Sequence, residues 1–350
     1  MNEDLIRQAT AWLAAGEKVA MATIVRIRGS SSQPLASRMF ITSHERFVGA
    51  VSGGCVETDV YEAAQDVLAG DGPLMLHYKH VENPLIEIGL NCEGQIDVLV
   101  ECLDAALLEQ LTAPPTRVNV TLCSPNEPLH PRPVHASVWP DGTASASLPD
   151  EVLRDALAAL EGERPQTVSY PGGRVALLEP VLPPSTLLIF GAEQIAVPLV
   201  RFAKILGFRT VVSDARPAFA TRDKYPDADE VLALWPQEVI ARVGVDARTF
   251  VVSLNHEPRF EDALLHALAG RRIAYLGAIG KRQRAVERAE RARASGFDLG
   301  QLPPIHTPIG LDLGGKSPEE VALSIIAEIV AVRHGRCGSM LSAEGVGKNP

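Results

Sequence analysis

Two cysteines stand in settings that could do chemistry. Cys55 closes Ser52-Gly53-Gly54-Cys55-Val56-Glu57, where the pattern switches from strand to amphipathic helix. Free N–H groups and the dipole of such a helix start favour a thiolate. A small cysteine packed beneath the turn fits the same residues equally well. Cys92, in the glycine-bounded loop Gly89-Leu90-Asn91-Cys92-Glu93-Gly94, reads as a second thiol for that site or as a plain loop residue. Cys102, Cys123 and Cys337 lack comparable contexts and read as structural, Cys102 as buried and inert. Asn255-His256-Glu257 and Gly280-Lys281-Arg282-Gln283-Arg284 each follow an apolar run. His256 there could act as acid, base or donor, or simply be satisfied at a strand end. Lys281 and Arg282 would set cations beside helix N–H groups, a sensible clamp for phosphate. Asp312, in a glycine-rich stretch, reads as a buried carboxylate or a turn-fixing residue. His130 and His135 are isolated and read as surface residues. No charge-relay set and no metal-ligand spacing emerges.

These residues need elements to carry them. Thr186–Phe190 reads as a buried strand, Gly191 as a turn, the following residues to about Leu206 as a helix, and Arg209–Ser213 as a second strand ending on Asp214. That is the βαβ unit that opens a Rossmann-type sheet. Asp214 lies 23 residues after Gly191, near where a ribose-binding carboxylate sits in such units. Glu193 occupies the position where a middle glycine normally lets pyrophosphate approach, so ordinary NAD(P) binding is not expected. The predicted fold class is α/β, with a C-terminal Rossmann-like parallel sheet and a smaller N-terminal α/β domain. The expected divisions are 1–113, a middle α+β region and linker at 114–184, the Rossmann-like domain at 185–335, and a flexible tail at 336–350.

The chain has 350 residues, 46% of them hydrophobic, which suffices for two cores. A formal net charge of −10 argues against nucleic-acid binding, and any phosphate ligand needs a local basic patch. No apolar run approaches the length of a membrane span, and the acidic, polar start argues against a secretory signal. Five cysteines without a C-x-x-C pair suit a reducing cytoplasm.

Several stretches together resemble the xanthine dehydrogenase accessory proteins, the XdhC/CoxI family. They are Arg28-Gly29-Ser30-Ser31, the Cys55 and Cys92 segments, the βαβ unit ending Asp214-Ala215-Arg216-Pro217, Tyr275 to Gly280, and His306 to Gly314. The last, followed by Ser317-Pro318-Glu319-Glu320-Val321-Ala322, is the most specific. The resemblance implies a cytoplasmic carrier rather than an enzyme. It would bind molybdenum cofactor (molybdopterin or its cytosine dinucleotide form), protect it during sulfuration by a cysteine desulfurase, and deliver it to a molybdenum hydroxylase client. A homodimer is expected, with no nucleic acid and no membrane. The implied cofactor contacts are Ser30, Gly53, Gly54, Cys55, Glu57, Cys92, Gly191, Asp214, Arg216, His256, Gly280, Lys281, Arg282 and Asp312, with Cys55 and Cys92 facing the metal. The chain departs from the family pattern at Glu193 and Gln194, where glycine and histidine are usual, around Ser32-Gln33-Pro34, and at Glu93. An oxidoreductase using NAD(P) through the Rossmann half is the alternative reading.

Overall fold

The computed structural model describes residues 3–81, 89–90, 93–124 and 132–343. The chain divides into two units, Met1–Pro183 and Pro184–Pro350.

Alternating and β-branched apolar residues make the strands of the first unit. Its elements are α1 (Glu3–Ala14), β1 (Val19–Gly29), β2 (Arg38–Thr42), β3 (Phe47–Gly49), α2 (Glu57–Asp66), β4 (Leu74–Lys79), β5 (Gly94–Cys102), α3 (Ala105–Thr112), β6 (Arg117–Cys123), β7 (Val134–Val138), α4 (Asp150–Gly162), β8 (Gln166–Ser169) and β9 (Val175–Val181). One antiparallel sheet has the order β3-β2-β1-β5-β4, the other β7-β6-β9-β8. Helix α2 lays Val60 and Ala64 on Ile24, Ile41 and Val98 of the first sheet. Helix α4 covers the second with Val152, Ala156 and Ala159. Val25 and Leu99 meet Cys123, Val175 and Leu177, so residues of the predicted middle region share a core with the five-stranded sheet.

The second unit carries β10 (Thr186–Phe190), α5 (Ala196–Ile205), β11 (Arg209–Ser213), β12 (Glu230–Leu232), α6 (Pro236–Val243), β13 (Thr249–Ser253), α7 (Pro258–Leu268), β14 (Tyr275–Ala278), α8 (Arg282–Ser295), β15 (Ile305–His306) and α9 (Pro318–Arg333). Its six strands are parallel in the order β12-β11-β10-β13-β14-β15. Order reverses between β10 and β13, the switch point beside which such sheets bind ligands. Helices α5 and α9 bury Leu199, Ala203, Ile325 and Ile329 on one face. Helices α6 and α7 bury Val239, Ile240, Leu264 and Leu268 on the other. Each aliphatic side chain so buried contributes about 1.5–3 kcal/mol. The start of α9 is set by Ser317, whose hydroxyl accepts from Glu320 N while the Glu320 carboxylate accepts from Ser317 N.

Helix α8 corrects the sequence reading. Read from the sequence alone, its many arginines are mostly a solvated face, with Glu287 and Arg291 a plausible i,i+4 pair. Instead Arg288 is buried against Glu261 of α7, and Arg291 pairs with Glu261 and Asp262. The carboxylates of α7 outcompete an exposed i,i+4 partner because they are partly desolvated and already ordered.

Candidate functional site

In the first unit the three segments singled out by sequence converge. Gly29 and Ser30 lie directly on Glu93 and Gly94, since a Cβ on Gly94 would fall 1.8 Å from Ser30 O. Ser32 donates its hydroxyl to Ser52 O, tying the same polar loop to the glycine turn. Ser30 itself is exposed at the junction. Cys92 and Asn91 lie outside the described residues, as does His130.

Within the turn, Gly53 and Gly54 take φ of +80° and +116°, which only glycine adopts without strain. This backbone wraps the carboxylate of Glu57. Oε1 accepts from the N–H groups of Val51 (3.2 Å), Ser52 (2.8 Å) and Gly53 (2.9 Å). Oε2 accepts from those of Gly54 (2.7 Å) and Val56 (3.3 Å) and from the Ser52 hydroxyl. Burial alone would raise the Glu57 pKa; the Ser52 hydroxyl and the N–H groups of Ser52, Gly54 and Gly53 outweigh it and bring it down to about 2.

Glu57 thus meets the turn's own donors rather than an open face. Its acceptor sites are spent inside the turn, where it acts as a built-in anion. The N–H of Cys55 and a second bond from Val56 N go to Ser52 Oγ, so the donors invoked for a thiolate are also occupied. What the turn presents is the half-buried thiol of Cys55. Cys123, read as structural, is buried, its thiol pushed up to about 12 by burial. Cys102 is exposed, against expectation, because it ends an outward-facing position of β5.

In the second unit the carboxyl ends of the strands bring Gly191, Asp214, Arg216, His256, Gly280 and Lys281 to one edge. Gly191 has φ +103°, and a Cβ there would sit 2.9 Å from Asn255 Oδ1 and 3.0 Å from Leu254 C. The glycine is demanded by close approach to the end of β13, a reason independent of any ligand.

Asp214 is engaged by its own neighbours. Its carboxylate accepts from Ala192 N (3.0 Å), Arg216 N (2.9 Å), Arg216 Nε (2.8 Å) and Arg216 Nη2 (2.8 Å). Those four donors fill the usual acceptor capacity of a carboxylate. Burial opposes its ionisation, but Arg216 and the two N–H groups hold its pKa below the ordinary range. Arg216 also reaches Glu193 at 3.5 Å and Glu257 at 3.7 Å, and lies 4.1 Å from the Phe219 ring centre. Arg259 pairs with Glu257 at 2.8 Å. Lys224 adds a third cation by donating its ammonium to the carbonyl of Ala192, so three carboxylates at the glycine end of this edge are matched by three cations. Sequence reasoning found Arg216 but missed its hub position, because Glu257 and Phe219 reach it only through the fold.

The other end is cationic. Lys281 and Arg282 are exposed at the start of α8, and their side chains have no hydrogen-bond or ion-pair partner among the described residues. Gly280 has φ +138° and lies under the Arg284 side chain. Arg284 Nη2 donates to the carbonyl of His256 at 3.0 Å, and the His256 ring is exposed. Asp312 is also exposed, correcting the buried reading. The partly buried carboxylate there is Glu328, which sequence missed. It accepts from Tyr275 Oη and Gly310 N and meets His306 Nδ1 at 3.0 Å. Among the described residues no cluster of three or more His, Cys, Asp or Glu could hold a metal ion. Among them, too, no helix is long and apolar enough to cross a membrane.

Family models match in both units: the XdhC Rossmann domain over residues 187–329, and the XdhC and CoxI family over residues 12–79. The chain is 27% identical over 331 residues to a Bacillus subtilis protein described as a probable xanthine dehydrogenase component, covering 91% of this chain and 94% of that protein. It is 24% identical to the molybdenum cofactor insertion chaperone PaoD of Escherichia coli, covering 95% and 89%. A crystal structure from Bacillus halodurans, described as a xanthine dehydrogenase, shares the fold with a TM-score of 0.74 at 24% identity, covering 97% and 98% of the two chains.

Proposed function

We propose that this chain, matched in both units by XdhC and CoxI family models, is an accessory protein of that family that binds molybdenum cofactor and delivers it, in sulfurated form, to a xanthine-dehydrogenase-type molybdenum hydroxylase. The observation that carries this reading is the unequal pairing of charge along the Rossmann edge, balanced at the glycine end and unpaired at the start of α8. Glu193, Asp214 and Arg216 close the glycine turn to pyrophosphate, while Lys281 and Arg282 remain unpartnered among the described residues. Such an edge suits one phosphate end better than a dinucleotide laid across the switch point. Hydride transfer with NAD(P) then loses both its phosphate seat and its ribose carboxylate.

The residues fit the cofactor in kind. When bound, it supplies a thiophilic molybdenum centre with sulfur ligands. Cys55 offers a half-buried thiol on a rigid turn, and Cys92 is proposed as the second. In the second unit, taken by itself, Lys281 and Arg282 suit a phosphate as point charge and fork donor. Ser30, Gly53 and Gly54 shape the approach to the thiol. A cysteine desulfurase is proposed as sulfur source, a homodimer as the working form, and the cytoplasm as the compartment. The cofactor is molybdopterin or its cytosine dinucleotide form.

The test is the client. In cells lacking this chain, the hydroxylase should fold and hold its other cofactors but lack activity and active molybdenum. Cys55→Ala should reproduce that phenotype. A client with normal activity and molybdenum content in those cells would sink the proposal.

A further inference from the structure

The formal charge of −10 is not shared between the two units. Met1–Pro183 holds 24 Asp and Glu against 12 Lys and Arg, whereas Pro184–Pro350 is nearly balanced. From Phe47 to Tyr78 the first unit has no Lys or Arg, and α2 alone carries Glu57, Asp59, Glu62 and Asp66. Charge of one sign gathered in this way steers cationic partners and repels phosphate.

A pocket of about 290 Å³ opens in that acidic stretch, between the turn joining β2 to β3 and the start of α2. Phe47 and Tyr61 give it aromatic walls, and Glu45, Glu57 and Thr58 complete the lining. Glu45, Phe47 and Thr58 are exposed while Glu57 and Tyr61 are half-buried, so the pocket is shallow and sized for one side chain rather than a whole small molecule. Phe47, 53% exposed, is the one large hydrophobic side chain left exposed in this unit among the described residues. Among them, too, no hydrogen bond or ion pair engages the Glu45 carboxylate or the hydroxyls of Thr58 and Tyr61. Glu57 differs: its oxygens are held by the turn, so it contributes its charge and not its acceptors.

Two aromatic rings, an open carboxylate, two open hydroxyls and a negative surround are the complement of a guanidinium. That group is planar, stacks on aromatic rings, carries a fork of donors and gives up its water more readily than an ammonium. We infer that this pocket is the docking point for an arginine side chain presented by a protein partner. Arginine is a frequent anchor at protein interfaces, and a shallow aromatic pocket is the kind of seat it fills. The Cys55 turn is wrapped around Glu57, so a partner anchored here stands beside that turn. The inference does not rest on the carrier reading, and its test uses no cofactor.

The full chain carrying 3-fluorotyrosine at its five tyrosines tests it by fluorine NMR, with the Tyr61 signal assigned from Tyr61→Phe. Acetyl-glycyl-arginyl-glycinamide should shift that signal saturably. The citrulline counterpart, similar in shape but uncharged, should not. Glu45→Gln and Phe47→Ala should each weaken binding about two- to fivefold, and both positions are exposed, so the fold is spared. Glu109→Gln, the same charge change on α3, should leave binding unchanged. No saturable shift at Tyr61, an equal response to the citrulline peptide, or a loss in Glu109→Gln equal to that in Glu45→Gln would overturn the docking point. Free arginine binding more tightly than the blocked peptide would make this a small-molecule site and overturn the partner assignment.

Discussion

Glu57→Gln is the most direct probe of the turn that holds Cys55. The amide keeps one oxygen, enough for the bonds from Val51, Ser52 and Gly53. Its NH2 then faces the N–H groups of Gly54 and Val56, which lose their acceptor. Two orphaned donors and a lost charge-assisted set should cost about 2–4 kcal/mol, reduced where water reaches the exposed Gly54. An independent figure comes from titration. A carboxyl held at about 2 rather than 4.5 represents on the order of 3 kcal/mol, which solvent screening of a half-buried group brings to about 1–2 kcal/mol. The folded-state pKa is depressed, so this stability is fully present above pH 4.5 and is lost as pH falls toward 2. Denaturant midpoints measured across that window should fall in the parent protein with an added component absent from Glu57→Gln. Hydrogen exchange at Ser52 to Val56 should accelerate in the variant at neutral pH. Equal midpoints and unchanged exchange would refute the claim that Glu57 shapes this turn.

Two further outcomes follow from the Rossmann edge. Gly191→Ala should destabilise the second unit by about 2 kcal/mol or more, through positive φ and collision with Asn255; chemical denaturation measures it, and a change within about 0.5 kcal/mol would show that β13 can yield. Lys281→Ala with Arg282→Ala should leave stability unchanged but weaken cofactor retention. The loss should shrink as salt rises, since exposed charges are screened over about 8–10 Å; salt-independent loss would place the phosphate elsewhere.

Local pattern carried the Rossmann unit. Thr186–Phe190 is a short apolar run, Gly191 a turn with positive φ, and Arg209–Ser213 a second run, and each forms where its residues dictate. The capping box at Ser317 was equally readable because both partners lie within three positions. What stayed hidden depends on side chains folding back or meeting across the chain. Nothing local reveals that Glu57 fills its own turn, or that Arg216 takes up the carboxylate of Asp214. The Arg38–Glu179 pair is set by the meeting of two sheets, which periodicity does not encode. Arg288 read as solvated because helical spacing cannot announce a buried acid on α7. The thiol and the basic junction were therefore legible as residue types, while the reason each stands as it does was not.

The central claim is that this chain carries molybdenum cofactor. Protein purified without air from cells making molybdopterin should release, on denaturation, a pterin identifiable by mass and absorbance, with molybdenum in stoichiometric proportion. Cys55→Ala should lower the molybdenum more than the pterin. Release of a nicotinamide dinucleotide, or of no pterin at all, would contradict it.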